Sequence, residues 1–396
     1  MPIAPGPDPE SSTDPTDVTN PDGTARVAVT AMFLANGIAV ASFLVRVPDI
    51  RDQLGLREAA LGLVLSSLAV GVVTGLVLAG RIVSGVGSRR LTLMGGAVVA
   101  IVLPVAGAAP TVPVLVAALL ITGAASSVMD VGMNAQGVGV ERGFGRSIML
   151  GLHGAWSVGT LLAAIAGSVV MGLRIPVGWH LVAVSGVLIG LLLFAVRGLR
   201  IEDRVAVPAG PRFAIPRGPL FPLALVAFAG AVGESTATDW SGIHLADTLQ
   251  VAPGRIGWGF VAYTAAMTLV RLVGDAVVRR IGARWTVAAG GVLAGIGFLT
   301  VALAPALPLA LAGFAGIGLG VGVTVPLAFS AAGNVAHAPG AGVAAVAAVG
   351  YLAFVIGPSA VGLAADLIGL PIAFIAVGIL VVVLTVRPQP ALRRMD

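Results

Sequence analysis

Apolar residues run along this chain in long blocks, not at the intervals of an amphipathic helix or a half-buried strand. Twelve blocks can be marked, at roughly 27–46, 60–80, 91–109, 112–137, 147–171, 179–197, 220–240, 256–278, 285–304, 307–332, 342–365 and 370–387. Each approaches the ~20 residues that a helix needs to cross ~30 Å of hydrocarbon. The pattern predicts twelve transmembrane helices. Small residues recur inside the blocks at four-residue spacing, as at Gly71 and Gly75 or Gly316 and Gly320, which predicts helix backbones packed closely in lipid.

The polar stretches divide the chain. Residues 1–25, including "PGPDPESSTDPTDVTNPDGTA", carry no apolar face and predict a disordered tail. The stretch is acidic and proline-rich, unlike the basic start and apolar core of a secretory signal. A central loop at 198–219 separates six blocks within 26–197 from six within 220–387, and a short tail follows at 388–396. The two halves repeat: "GSRR" begins at Gly87 and "GARW" at Gly282, and 282 − 87 = 195. At the same offset Phe33 matches Phe228, Arg89 matches Arg284, Pro110 matches Pro305, Pro113 matches Pro308 and Gly123 matches Gly318. Chance identities are common between runs rich in Ala, Gly and Val, but ungapped matches of Phe, Arg and Pro are not. The expected fold is an all-α integral membrane protein, with twelve transmembrane helices in two pseudo-symmetric six-helix bundles and a substrate site between them near the midplane.

Composition narrows the function. Charged residues make up 10% of the chain, hydrophobic residues 57%, and the mean hydropathy is +1.02. So few charges cannot cover a water-facing surface. All 23 basic residues are arginine. With the N-terminus inside, Arg81, Arg89, Arg90, Arg142, Arg146, Arg279, Arg280, Arg284 and the arginines of the central loop lie on the cytoplasmic side. Arg46, Arg51, Arg57, Arg174 and Arg255 lie outside. This bias places both termini in the cytoplasm of a multi-pass protein of the cytoplasmic membrane. The arginines are spread over short loops, so the basic pI does not indicate a nucleic-acid partner. Cysteine is absent, which excludes disulfides and thiolate metal sites. No Ser/His/Asp arrangement, phosphate-cradling loop or metal-ligand cluster points to an enzyme, a cofactor or a bound metal. With no nucleotide-binding domain in the sequence, an ion gradient is the expected energy source, and the expected partners of a monomeric chain are a small-molecule substrate, protons and the lipid bilayer.

One loop carries a family resemblance. "GRIVSGVGSRR", Gly80 to Arg90, fits the Gly-x-Leu-Ala-Asp-Arg-x-Gly-Arg-Arg pattern of the major facilitator superfamily at Gly80, Gly87, Arg89 and Arg90. "GDAVVRRIGAR" stands at the equivalent place in the second half. Ser84 replaces the aspartate of that pattern and Gly85 replaces an arginine. The chain resembles this family from Arg26 to Pro388, which implies alternating access between two halves and a gating role for the loop. The stretch "MDVGMNAQ" is similar to the acidic-x-x-x-Asn element of the fucose permease-like branch, as are "LHGAWSVG" and "ESTATDW" to a lesser degree. That resemblance implies proton coupling at Asp130.

The residues themselves support a reading in these terms. A carboxylate on a membrane helix carries ~3 kcal/mol of insertion cost, so Asp130 must face a cavity, meet a partner or hold a proton. Asn134, one turn along, shares its face. Two readings stand for Asp130: a proton carrier or substrate ligand, or a structural residue that is permanently ion-paired or caps a neighbouring helix. Glu234, deeper in the seventh block than Asp239 and Trp240, is the second candidate for proton exchange and a candidate substrate ligand. Asp239 and Trp240 are expected at the outer end, as a cap and a membrane-interface aromatic. His153 and Trp156, together with Asn36 and Asn134, are candidate substrate contacts for a sugar-like or aromatic solute through hydrogen bonding and ring stacking. Arg271 and Asp275, four apart on the eighth block, are expected to pair with each other and to act in gating.

The direction of transport stays open. The fifth block lacks the Gly-Pro signature of antiporters in the family, and Gly357-Pro358 lies in the eleventh, which favours proton-coupled symport of a polar solute. The sparse hydrogen-bonding residues also suit proton-driven efflux of an amphipathic metabolite or drug. A membrane receptor or scaffold using the same fold without transport is the reading from another class.

Overall fold

The long apolar blocks become long helices, and the polar punctuation falls between them. The computed structural model describes residues 21–144, 148–200, 215–336, 339–387 and 391–392. The first half comprises α1 (Pro21–Leu44), α2 (Val47–Leu54), α3 (Glu58–Val86), α4 (Ser88–Gly107), α5 (Val112–Phe144), α6 (Met149–Gly172) and α7 (Val177–Ala195). The second comprises α8 (Leu220–Asp247), a 3-10 turn at Pro253–Arg255, α9 (Trp258–Ile281), α10 (Ala283–Leu303), α11 (Leu307–Val321), α12 (Thr324–Val335), α13 (Pro339–Ile368) and α14 (Leu370–Val386). Among the described residues, eleven helical runs are long and apolar enough to span a membrane, with α11 and α12 forming one of them. The 17-residue α14, entirely apolar or small apart from Thr385, makes the twelfth span.

The repeat persists in the register of the helices. The helices α3 and α9 end at Val86 and Ile281, α4 and α10 begin at Ser88 and Ala283, and α5 and α11 begin at Val112 and Leu307, each 195 apart, as in 281 − 86. Gly87 and Gly282, between the first two of these pairs, adopt φ 85° and 82°. Only glycine takes that backbone without strain. The halves differ where local chemistry differs. The unbroken α5 corresponds to α11 and α12, separated near Gly322 because Pro326 in the first turn of α12 has no N–H to continue the ladder. Conversely α8 is continuous where its counterpart is broken into α1 and α2.

Several boundaries depart from the sequence reading. The helix α1 starts at Pro21, so residues 21–25 of the expected tail are helical; residues 1–20 lie outside the described part, as do 201–214 of the central loop. Ala391 and Leu392 of the C-terminal tail are buried against Leu223, Ala227, Val287 and Ala331, so this part of the tail packs on the second half. The start of the central loop is tied down: Gln136 Nε2 donates to the Arg200 carbonyl at 3.0 Å, its Oε1 accepts the Arg200 N–H at 2.9 Å, and Nε2 also donates to Ser88 Oγ at 2.7 Å.

Glycines set the distance between neighbouring helices. A Cβ on Gly123 of α5 would press on the Leu68 carbonyl and lie 2.9 Å from the Val72 nitrogen of α3, and Gly71 meets the Leu120 carbonyl in the same way. Nothing flexible can yield there, because the opposing atoms are backbone. Gly123→Leu should therefore abolish the monodisperse folded species in fluorescence-detected size-exclusion chromatography, since overpacking alone costs about 1–3 kcal/mol and here must also separate two helices. A normal elution profile for that variant would contradict the packing.

Candidate functional site

One end of the bundle, opposite the termini, is closed by contacts between the halves. Arg51 of α2 grips Asp247 at the end of α8 through both guanidinium nitrogens, with Nη2 to Oδ1 at 2.9 Å, and also meets Asp52 at 2.8 Å and Glu58 at 3.9 Å. Asp247 first, and then Asp52, hold the Arg51 guanidinium protonated beyond the ordinary arginine range, against the opposing effect of burial. Arg57 pairs with Asp366 of α13 at 3.4 Å. A little deeper, Ser66 and Ser359 share a hydrogen bond of 2.6 Å, and Gly62 and Gly362 admit the backbones of Pro358 and Glu58. Here α3 and α13 touch almost without side chains between them.

Below this seal lies a cavity of about 270 Å³ between the halves. Trp156 and Thr160 of α6 reach it from the first half. Glu234, Thr238 and Asp239 of α8, Tyr263 of α9 and Tyr351 of α13 reach it from the second. The chain has two tyrosines, and both are here. Trp156 and Tyr351 occupy equivalent places in the two halves, since 351 − 156 = 195. Asn36 stands behind Trp156, accepting the indole N–H at 3.0 Å and donating to Ser126 Oγ at 3.1 Å. It positions the ring and is not itself in the cavity wall. Glu234 Oε2 lies 3.8 Å from Arg271 Nη2, and Arg271 also donates to the Gly322 carbonyl at 3.4 Å. The expected Arg271–Asp275 pair is therefore replaced by a pair between helices: the i, i+4 partner is nearer in sequence, but Arg271 turns to the buried-side carboxylate of α8.

Asp239 and Trp240 also differ from expectation. The apolar block ends at about 240, whereas α8 continues two turns to Asp247. Trp240 is fully buried, not an interface aromatic, and Asp239 lies in the cavity wall. Its Oδ2 accepts from Ser235 at 2.9 Å and its Oδ1 from Thr238 at 3.3 Å. A signal for this is present in the sequence, since His244 and Asp247 are compatible with a helix running on.

Asp130 sits farther from the seal, toward the end of the bundle that holds the termini. The helix α5 runs to Phe144, past the apolar block that ends at about 137, and leaves Asp130 fourteen residues, or ~21 Å, from that end. Asn134 Nδ2 donates to its Oδ1 at 3.1 Å. His153 of α6 and Tyr351 of α13 lie within electrostatic reach, so this carboxylate faces neighbouring helices of the bundle. His153 packs its ring 5.1 Å from Phe33 and bonds the Met149 carbonyl at 3.0 Å. Among the described residues no cation stands within ion-pair distance of Asp130 in this state.

The α3–α4 loop is a tight turn between two helix ends. Gly80 lies in the last turns of α3, Gly87 makes the turn, Arg89 donates to the Val196 carbonyl at the end of α7 at 2.7 Å, and Arg90 is exposed. The Ser84 side chain lies outside the described residues. Asp275 is exposed on α9.

Two six-helix bundles sealed at one end around a central cavity make up a secondary transporter fold. Comparison with known proteins agrees. The profile of the Major Facilitator Superfamily matches residues 223–393. An uncharacterized transporter of Sinorhizobium fredii is 33% identical over 89% of this chain and 94% of its own length. An uncharacterized MFS-type transporter of Yersinia pestis is 31% identical over 93% and 96%, and the membrane protein MosC of Rhizobium meliloti is 32% identical over 89% and 88%. Among solved structures, a bacterial homolog of the human lysosomal transporter Spinster, inward-facing and occupied, superposes with a TM-score of 0.76 at 14% identity over 93% of this chain and 96% of that one. The nucleoside transporter NupG does so at 0.70 and 14% identity over 92% and 97%. The chain belongs to the Major Facilitator Superfamily. It is a multi-pass membrane transporter of small molecules, in a family of transporters and not of enzymes.

Proposed function

We propose that this transporter couples protons to the movement of a small organic solute across the cytoplasmic membrane as a monomer, with both termini in the cytoplasm and the open end facing inward. The observation that carries this reading is a carboxylate, Asp130, deep in a membrane helix with an amide partner and, among the described residues, no cation, opening toward the path below a sealed cavity. A group so placed can hold a proton or release it without disrupting a salt bridge. Glu234, tethered to Arg271, is the second group able to exchange a proton, and Trp156 with Glu234 forms the part of the substrate site that the sequence anticipates. Asn36, Asn134 and His153 then act behind these groups by orienting Trp156 and Asp130.

Symport of a sugar-like or other polar solute and export of an amphipathic one share this machinery. The aromatic wall of the cavity favours a solute with an apolar or ring-bearing body, which keeps efflux as the second reading. Purified protein in liposomes holding a pH-sensitive dye should show solute-dependent proton flux when a panel of sugars, polyols, amines and aromatic acids is offered. No flux with any class would contradict the reading. Glu234→Gln should weaken the apparent affinity for the responding solute about 5–30-fold, the ~1–2 kcal/mol of one charge-assisted contact, while leaving maximal turnover within a few fold. Unchanged affinity would return Glu234 to a packing role.

A further inference from the structure

The solute class can be narrowed from the charges and hydrogen bonds of the cavity, and the inference rests on the transport reading above. Among the described residues that line the cavity, the charged groups are Glu234 and Asp239, and both are carboxylates. Arg271 answers Glu234 from the side. Asp239 has hydroxyl partners, Ser235 and Thr238, and no cation among the described residues. Hydroxyl donors do not neutralise a carboxylate, so in these apolar surroundings Asp239 needs a proton or a cation beside it, and an entering cation can take that place.

Four of the remaining polar groups of the wall are occupied, and the hydroxyls of Thr264 and Tyr351 are the free ones among the described lining residues. Trp156 gives its N–H to Asn36, and Tyr263 gives its hydroxyl proton to Met267 Sδ at 3.2 Å. Thr160 donates to the Trp156 carbonyl of its own helix at 3.0 Å, and Thr238 shares its single hydroxyl proton between the Ser235 carbonyl at 3.0 Å and Asp239 Oδ1 at 3.3 Å. What Trp156 and Tyr263 present to a guest is therefore ring surface, and what the two threonines present is chiefly their methyl groups. A polyhydroxylated guest would find few free donors, and an anionic guest would meet two carboxylates. A cation meets an unanswered carboxylate and several aromatic rings, which attract positive charge through their quadrupoles.

We propose that the solute is a compact organic cation, an amine or quaternary ammonium with an apolar or aromatic body, held by Asp239 and the rings of Trp156, Tyr263 and Tyr351. The test uses the full chain in nanodiscs and four probes: choline, benzyltrimethylammonium, the uncharged choline isostere 3,3-dimethylbutan-1-ol, and the anion 3,3-dimethylbutanoate. Saturable thermal stabilisation is expected with at least one of the two cations, and with neither the neutral nor the anionic probe. Asp239→Asn should weaken the binding of that cation at least tenfold. Trp156→Ala should weaken it about tenfold and Trp156→Phe less than threefold, so the proposal stays exposed even if Asp239→Asn does not fold. Equal binding of the neutral isostere, no response to either cation, or wild-type cation binding by the Asp239→Asn and Trp156→Ala variants would overturn it. Proton flux in liposomes driven only by uncharged solutes would also overturn it while leaving proton-coupled transport standing. The absence of solute-driven flux of any kind would instead overturn the transport reading.

Discussion

An Asp130→Asn variant should fold, bind its solute and exchange it between equal pools on the two sides of a membrane, yet fail to concentrate it when a proton gradient is applied. The amide imitates the protonated acid in shape and keeps the hydrogen bond from Asn134. What it cannot do is release a proton, so the link between gradient and solute is cut while the cavity remains. The loss of uphill uptake should exceed 100-fold, and exchange should stay within about threefold of wild type. Had Asp130 been half of a buried ion pair, removing its charge would strand a cation at a cost of ~3–5 kcal/mol and the protein would be lost with every mode of transport. No such cation stands beside it among the described residues, so stability is expected to survive. Uphill uptake by a stable Asp130→Asn protein would move the coupling site elsewhere, with Glu234 next in line.

The second large effect belongs to the seal. In Arg51→Ala the paired oxygens of Asp247 lose both donors, and Glu58 and Asp52 lose their shared cation. Ordinary surface ion pairs contribute ~0–1 kcal/mol. This one exceeds that range because Arg51 is only 12% exposed, engages Asp247 with two nitrogens and binds three carboxylates at once. A contribution of ~1–2 kcal/mol to the closed end corresponds to a shift of about 5–30-fold in the ratio of the two access states. Accessibility labelling of a cysteine placed at Ser66, in a chain that has none of its own, should rise accordingly from the outer side. Labelling unchanged from the parent would mean that the glycine and serine contacts of α3 and α13 hold the seal without Arg51.

The fold is largely legible because lipid imposes a simple rule on the sequence: spans must be long and apolar, and the duplicated half leaves Phe, Arg and Pro in matching places. The limits of legibility lie where that rule is silent. A helix does not end where hydrophobicity ends, so α5 and α8 run past the blocks that mark them, and Asp130 and Asp239 stand farther from their helix ends than their apolar flanks suggest. Pro326 in the first turn of α12 explains the break between α11 and α12 once the register of the repeat is known, and Pro48 in the first turn of α2 marks the break between α1 and α2 in the same way. Partners across helices are a tertiary matter. Spacing alone offers Asp275 to Arg271, and only the approach of α8 to α9 shows that Glu234 takes it. In the same way Asn36 reads as a cavity residue until Trp156 is seen in front of it. Neither tyrosine stands out in the sequence, since nothing in their flanking residues separates a cavity wall from a packed core.

The central claim is that the two halves exchange access to the cavity between the two ends of the bundle, and it can be tested without knowing the solute. Spin labels at Thr111 and Thr248 would report the closed end, and labels at Arg142 and Arg280 the open end; all four positions are exposed and no native cysteine competes. Distances between each pair should be measured by pulsed electron resonance in nanodiscs, in the parent and in Arg51→Ala. The expected result is reciprocal: a second population in Arg51→Ala with a longer distance at Thr111–Thr248 and a shorter one at Arg142–Arg280. Distances that stay fixed at both ends, or lengthen at both together, would contradict alternating access and leave a rigid or merely loosened scaffold.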